Sequence, residues 1–172
     1  MFKELPAFID PKRLASQGTN LRGVVTLAQM SRLKDMLCDI QGEAQIDWLF
    51  ALDDKHRPTI NGRLLAQITL LCQRCLKPML YSVDVPVSLL VLTEELDDDD
   101  EEPIGYEPII LNSSTEVSLI KLIEDELILA IPIIAKHKTC PSNEFQLDEN
   151  ISENNNIINN PFQVLSTLKK GN

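Results

Sequence analysis

In two stretches of this chain, 44–52 and 60–72, apolar residues fall on every second position, and nothing else in the sequence restricts the fold as strongly. Ala44, Ile46, Trp48, Phe50 and Leu52 alternate with Gln45, Asp47, Leu49 and Ala51, the pattern of a strand with one face buried. The turn signal Asp53-Asp54-Lys55-His56-Arg57-Pro58 follows. Ile60, Leu64, Ala66, Ile68 and Leu70 then share one parity through a second strand, in which Gly62 reads as a possible bulge. Cys72 has the same inward parity. A third strand is expected from about Tyr81 to Leu92, with Pro86 favouring an edge position or a bulge. An antiparallel meander is the simplest arrangement, and it puts Leu71-Cys72-Gln73-Arg74-Cys75-Leu76-Lys77-Pro78 at the hairpin between its second and third strands.

The flanking segments read as α-helical and extended pieces packed on that sheet. Residues 5–9 can be extended, and Asp10-Pro11 is a turn or helix-start pair. Thr26-Leu27-Ala28-Gln29 has capping-box form, and Leu27, Met30, Leu33 and Leu37 continue at helical spacing, which predicts a helix to about Cys38. Residues 107–111 read as a further strand, and Asn112-Ser113-Ser114-Thr115 supplies helix-start chemistry. In the helix expected over about 116–130, Leu119, Ile120, Ile123, Leu127 and Ala130 fall within an arc about 100° wide, which Leu122 and Leu129 extend. Glu126 lies inside the widened arc, whereas Lys121 and Asp125 point to water. A carboxylate in an apolar stripe needs a partner, because burying an unpaired charge costs several kcal/mol. Arg74 is the expected one, and on that reading Glu126→Ala destabilises the fold.

The resulting class is α+β: an antiparallel sheet of about four or more strands with an amphipathic helix packed on it. The expected organisation is one domain over residues 1–140, with an acidic loop at 94–102. A polar, flexible linker follows at 141–160, and a short terminal helical segment at 161–172, where Phe162, Val164, Leu165 and Leu168 are amphipathic. No apolar run approaches the roughly 18 residues of a membrane span, and the N-terminus does not read as a secretion signal, so a cytoplasmic location is expected.

Charge divides the chain in two. Its formal net charge is −10. Residues 1–80 carry eleven Lys or Arg against eight Asp or Glu, while residues 81–172 carry five against eighteen. The first part is a possible contact for an RNA backbone, through Arg22, Lys55, Arg57, Arg63, Arg74 and Lys77. The second, with its run at 94–102, suits either a solubilising loop or an acidic arm for a basic protein.

Four cysteines in a reducing compartment read as metal ligands, redox groups or simply buried thiols. Cys72 and Cys75 have the spacing at which two thiolates reach one zinc ion from a tight turn. His137 and Cys140 complete a Cys3His set if the segment after the long helix returns to the hairpin. His56, in a polar turn, is a poorer ligand. A thiol-redox role with Arg74 lowering a thiol pKa lacks the usual strand-to-helix context. No phosphate-binding glycine loop, calcium loop or nameable acid–base or two-metal arrangement is present, so a non-enzyme is expected.

Five segments in one order, Asp10-Pro11, Leu71-Cys72-Gln73-Arg74-Cys75, Tyr106-Glu107-Pro108-Ile109, residues 122–132 with Glu124-Asp125-Glu126, and Asn160-Pro161-Phe162 to Lys170, resemble the bacterial YceD family, the large ribosomal RNA subunit accumulation proteins. The resemblance implies a cytosolic factor in ribosome biogenesis, needed for normal synthesis, processing or stability of the large-subunit (23S) ribosomal RNA. It also implies a gene usually adjacent to one for a large-subunit ribosomal protein. The implied partner is the large-subunit RNA precursor or a basic large-subunit ribosomal protein that the acidic part escorts. Some relatives look richer in cysteine in the later segment, with a second cysteine pair that this sequence lacks. A small zinc or thiol protein is the remaining alternative.

Overall fold

The structure, a computed structural model, describes residues 3–92, 105–111 and 116–140. The alternating stretches are strands: β4 (Glu43–Leu52), β5 (Pro58–Leu71) and β6 (Pro78–Leu92) form consecutive antiparallel pairs. Along β4 the inward residues Ala44, Ile46, Trp48 and Phe50 are buried, and Glu43, Gln45, Asp47 and Leu49 face water. The β4–β5 turn closes on Asp53. Its carboxylate accepts the backbone amides of Lys55 at 3.0 Å and Arg57 at 2.7 Å, and the Arg57 guanidinium at 2.8 Å.

Gly62 is not a bulge. It pairs in unbroken register with Trp48 on one side and Val87 on the other. A Cβ at that position would collide with the Asp47 carbonyl and the Trp48 backbone, so glycine permits a close strand approach. Pro86 sits opposite Arg63 on the open side of β6, where a missing amide costs no ladder bond.

The sheet is larger than a meander. β3 (Asn20–Thr26), which the sequence pattern left unassigned, pairs antiparallel with β4, and a two-residue β1 (Lys3–Glu4) lies parallel to β3. At the other side β7 (Glu107–Ile110) joins β6 in parallel along Leu89–Leu92. The order is β1-β3-β4-β5-β6-β7, antiparallel in its centre and parallel at both margins. A separate antiparallel pair links β2 (Phe8–Ile9) with β8 (Val117–Ser118).

Helices cover the inner face. Asp10 caps α1 (Pro11–Ser16) by accepting the Arg13 amide at 3.0 Å, and proline occupies the first helical position, where no amide partner is needed. The helix expected to Cys38 is broken. A single 3-10 turn at Leu27–Gln29 ends at Met30, whose extended backbone starts the four-residue α2 (Ser31–Lys34), and Thr26 makes no side-chain cap. Spacing of three buries Leu27, Met30 and Leu33 completely, which two short turns accomplish as well as one continuous helix.

α3 (Leu119–Ala130) starts at Ser118, whose hydroxyl accepts the Lys121 amide at 3.4 Å. It buries Leu119, Leu122, Ile123 and Leu127, each contributing roughly 2 kcal/mol, together with one charged group, Glu124. The residues proposed as its start, 112–115, lie outside the described set, as do the acidic run 94–102, the linker 141–160 and the terminal segment 161–172. None of the described helices is long and apolar enough to cross a membrane.

Candidate metal centre

The inward face of β5 runs through Ile60, Leu64, Ala66, Ile68 and Leu70 and ends on Cys72, which is fully buried. There the chain reverses tightly. The Leu76 amide donates to the Cys72 carbonyl at 2.9 Å, the Cys72 amide donates to the Lys77 carbonyl at 3.0 Å, and Leu76 takes a left-handed φ of 55° to close the loop. This holds Cys72 and Cys75 on the inside of one knuckle.

The second half comes from the far end of α3. Ile131 leaves the helix with an extended backbone and Pro132 prevents its continuation, so residues 133–140 turn back towards the hairpin. One backbone bond, from the Gln73 amide to the Ala135 carbonyl at 2.8 Å, fastens the two segments together. The return brings His137 and Cys140 against the knuckle, the condition on which a Cys3His set depends.

The four donor atoms converge. Cys72 Sγ lies 3.6 Å from Cys140 Sγ, Cys75 Sγ 3.5 Å from His137 Nδ1, and Cys140 Sγ 3.9 Å from the same nitrogen. All four lie within 4.8 Å of one another. Tetrahedral zinc, with bonds of about 2.3 Å to sulfur and about 2.0 Å to nitrogen, requires edges of roughly 3.8 Å between sulfurs and roughly 3.6 Å from sulfur to nitrogen. The Cys72–Cys140, Cys75–His137 and Cys140–His137 spacings lie within about 0.3 Å of those edges. They are also well beyond the about 2.05 Å of a disulfide.

Burial alone would push the Cys72 thiol up. Hydrogen bonding from the backbone of Cys75, His137 and Arg74 and from the Cys75 side chain outweighs it, and brings Cys72 down to about 5. Burial moves Cys75 the other way, upward. Arg74 projects from the knuckle, where its hydrogen bond to Cys140 and the charge of that sulfur hold its guanidinium protonated. Cys38 is exposed and stands apart from the group, as does His56, which sits at φ 61° in the β4–β5 turn.

Comparison with known proteins gives this geometry a context. The model of the family described as "Large ribosomal RNA subunit accumulation protein YceD" matches residues 60–169, a span that contains both halves of the cluster. A Haemophilus influenzae protein named "Large ribosomal RNA subunit accumulation protein YceD" is 30% identical over 170 residues, covering 97% of each chain. This chain belongs to the YceD family. No solved structure matches it.

In this YceD-family protein the buried carboxylate is not the one expected. The Arg74–Glu126 pair does not form: Arg74 faces the cysteine sulfurs, and Glu126 is half-buried near Glu107 and Asp125, where burial and those two negative charges raise its pKa. The buried acid is Glu124, 2% exposed. One oxygen accepts the backbone amides of Arg32 at 2.6 Å and Leu33 at 3.0 Å, and the other accepts the Arg32 guanidinium at 3.0 and 3.1 Å. It therefore caps α2 from 91 residues away, satisfying two first-turn amides that Met30 cannot reach. Burial works against this carboxylate, but the Leu33 and Arg32 amides and the Arg32 charge outweigh it and hold its pKa low. Arg32 also reaches Asp125 at 2.6 Å. Periodicity in α3 alone carried no sign of Glu124, because α2 is what buries it.

The sheet arginines proposed as RNA contacts are also engaged. Arg22 pairs with Asp47 at 3.7 Å, Arg57 with Asp53 at 2.8 Å, and Arg63 with Asp84 at 2.5 Å.

Proposed function

We propose that this protein is a non-catalytic cytoplasmic factor for accumulation of the large-subunit (23S) ribosomal RNA in ribosome biogenesis, and that its Cys3His cluster holds zinc as a structural staple. The observation that carries the functional reading is the relative of that name aligned along 97% of both chains. The zinc reading is supported by the donor set, three sulfurs and an imidazole at tetrahedral spacing.

Cys72, Cys75, His137 and Cys140 would hold the ion. Four protein ligands complete a tetrahedron and leave no position for substrate, so the ion supplies cross-linking. It ties the β5–β6 hairpin to the segment after α3, two pieces of chain that share the Gln73–Ala135 backbone bond. A redox reading is less well supported, since a reactive thiol needs exposure and Cys72 has none. Of the two histidines in the sequence, one stands in the cluster and the other in a surface turn, which leaves little for acid–base catalysis.

Deleting the gene tests the functional reading: mature large-subunit RNA should fall relative to small-subunit RNA, and an unchanged ratio would refute it. Metal analysis of the purified chain tests the staple separately. About one zinc per chain is expected, and a folded, metal-free chain would remove it.

A further inference from the structure

Two sets of cations in this protein contrast. Arg22, Arg32, Arg57 and Arg63 are each matched to a carboxylate within the sheet and helical layers. Arg74, Lys77, Lys136 and Lys138 have no carboxylate partner among the described residues. These four project from the two segments that form the Cys3His cluster, and all four are exposed. Residues 71–83 and 127–140 contain no aspartate or glutamate at all, in a chain that has 26 of them. Among the described residues, Asp35 lines a groove together with Gln73 and Ile133 of these segments.

We infer that this metal-ordered end of the molecule is a phosphate-contacting surface for RNA, with Lys77, Lys136 and Lys138 as its contacts; the inference rests on the ribosomal-RNA reading above. Arg74 is directed at Cys140 and serves mainly to offset the charge of the thiolates. Three thiolates around a divalent ion leave a net charge of −1, which one guanidinium balances. The three lysines then remain as positive charge that no described carboxylate offsets.

Their setting suits a single strand. Lys136, His137 and Lys138 line one wall of an open groove of about 570 Å³, and Met79, Leu80, Tyr81 and Ser82 line the other. That second wall is β6 before Leu89, a stretch unpaired by β7. Tyr81, half-buried against the core, offers the part of its ring that lines the groove to a base, Ser82 a hydroxyl, and Lys136 and Lys138 fix the backbone. On the described sheet, by contrast, carboxylates interleave with the cations, as Arg22–Asp47 and Arg63–Asp84 illustrate. The exposed aliphatic residues Ile133 and Ile134 adjoin the groove and would suit a protein instead.

The test is binding of large-subunit ribosomal RNA fragments to the full-length, metal-loaded chain across a salt series. In single-strand binding each phosphate contact contributes about 0.7 to the slope of log K against log salt. Replacing Lys77, Lys136 and Lys138 together by Gln should reduce the slope by about 2 and weaken binding about a hundredfold near 0.1 M salt. Zinc content should be unchanged, which separates lost contacts from a lost fold. Arg22→Gln with Arg63→Gln should leave the slope as it is. An unaltered slope in the lysine variant, or an equal fall in the arginine variant, would overturn the inference. Failure of the wild-type chain to bind RNA while it captures a protein from ribosomal fractions would overturn it too. The accumulation reading would still stand or fall on the cellular RNA ratio.

Discussion

The Glu124 carboxylate accepts two backbone amides and a guanidinium in a site 2% exposed, so removing it uncaps α2 and leaves Arg32 with Asp125 as its carboxylate partner. Losing the acceptor of two first-turn amides together with a charge-assisted hydrogen bond costs about 3 kcal/mol. Glu124→Ala should therefore lower Tm by roughly 10 °C in a chain of this size, and a shift under about 3 °C would contradict the geometry. Its pKa is depressed in the fold, so its contribution is present above the unfolded value of about 4.3 and is lost as pH falls through the folded one. The Tm difference between wild type and variant should accordingly shrink in acid. Glu126 has the opposite sign. With its pKa raised by burial and by Glu107 and Asp125, it is neutral-to-unfavourable once ionised, and stability falls as pH rises through its folded pKa. Glu126→Gln should stabilise by about 0.5 kcal/mol at pH 8, discounted for its half exposure, and do nothing at pH 4. Thermal melts at both pH values check this. The two glutamates stand two residues apart, and helical periodicity favoured the wrong one: angle along α3 is local, whereas burial of Glu124 comes from α2, distant in sequence.

Among the elements, strands were the more legible. Period-two alternation marked β4, β5 and β6 and the inward parity of Cys72, because a sheet with one wet face leaves that signature residue by residue. β3 escaped because Gly23 interrupts its pattern and both Leu21 and Val24 are only half-buried. The parallel pairing of β7 depends on a crossover, to which alternation is blind. The split at Met30 had a different origin: residues spaced by three satisfy an α-helix and a 3-10 turn alike, and the tertiary cap from Glu124 decides where the second turn begins. The Cys3His geometry was foreseeable from spacing only on condition that the chain returned after α3, a condition Pro132 and the Gln73–Ala135 bond fulfil. If the knuckle and the returning segment are stapled by zinc, chelation should lower Tm substantially, and Cys75→Ser should give the same low Tm with no further loss on chelation. Chelator-insensitive melting of a zinc-free chain would contradict the staple.

For the molecule as a whole, the sequence showed a charge imbalance between its two parts but not its surface distribution. Arg22, Arg57 and Arg63 looked available in a linear count and proved to be paired across turns and strands. The carboxylate-free segments 71–83 and 127–140 are separated by more than forty residues and become one positive end only when the cluster assembles. The candidate Cys3His cluster, the two segments it joins and Lys77, Lys136 and Lys138 thus lie together in a chain whose relative is named for large ribosomal RNA subunit accumulation. The most direct test is the ratio of mature large- to small-subunit ribosomal RNA in cells lacking the gene and complemented with wild type or with Cys72→Ser, Cys75→Ser, at protein levels matched by immunoblot. The ratio should fall on deletion, recover with wild type and stay low with the double variant. Full recovery with the double variant would contradict a role for the cluster, and a ratio indifferent to deletion would contradict the function itself.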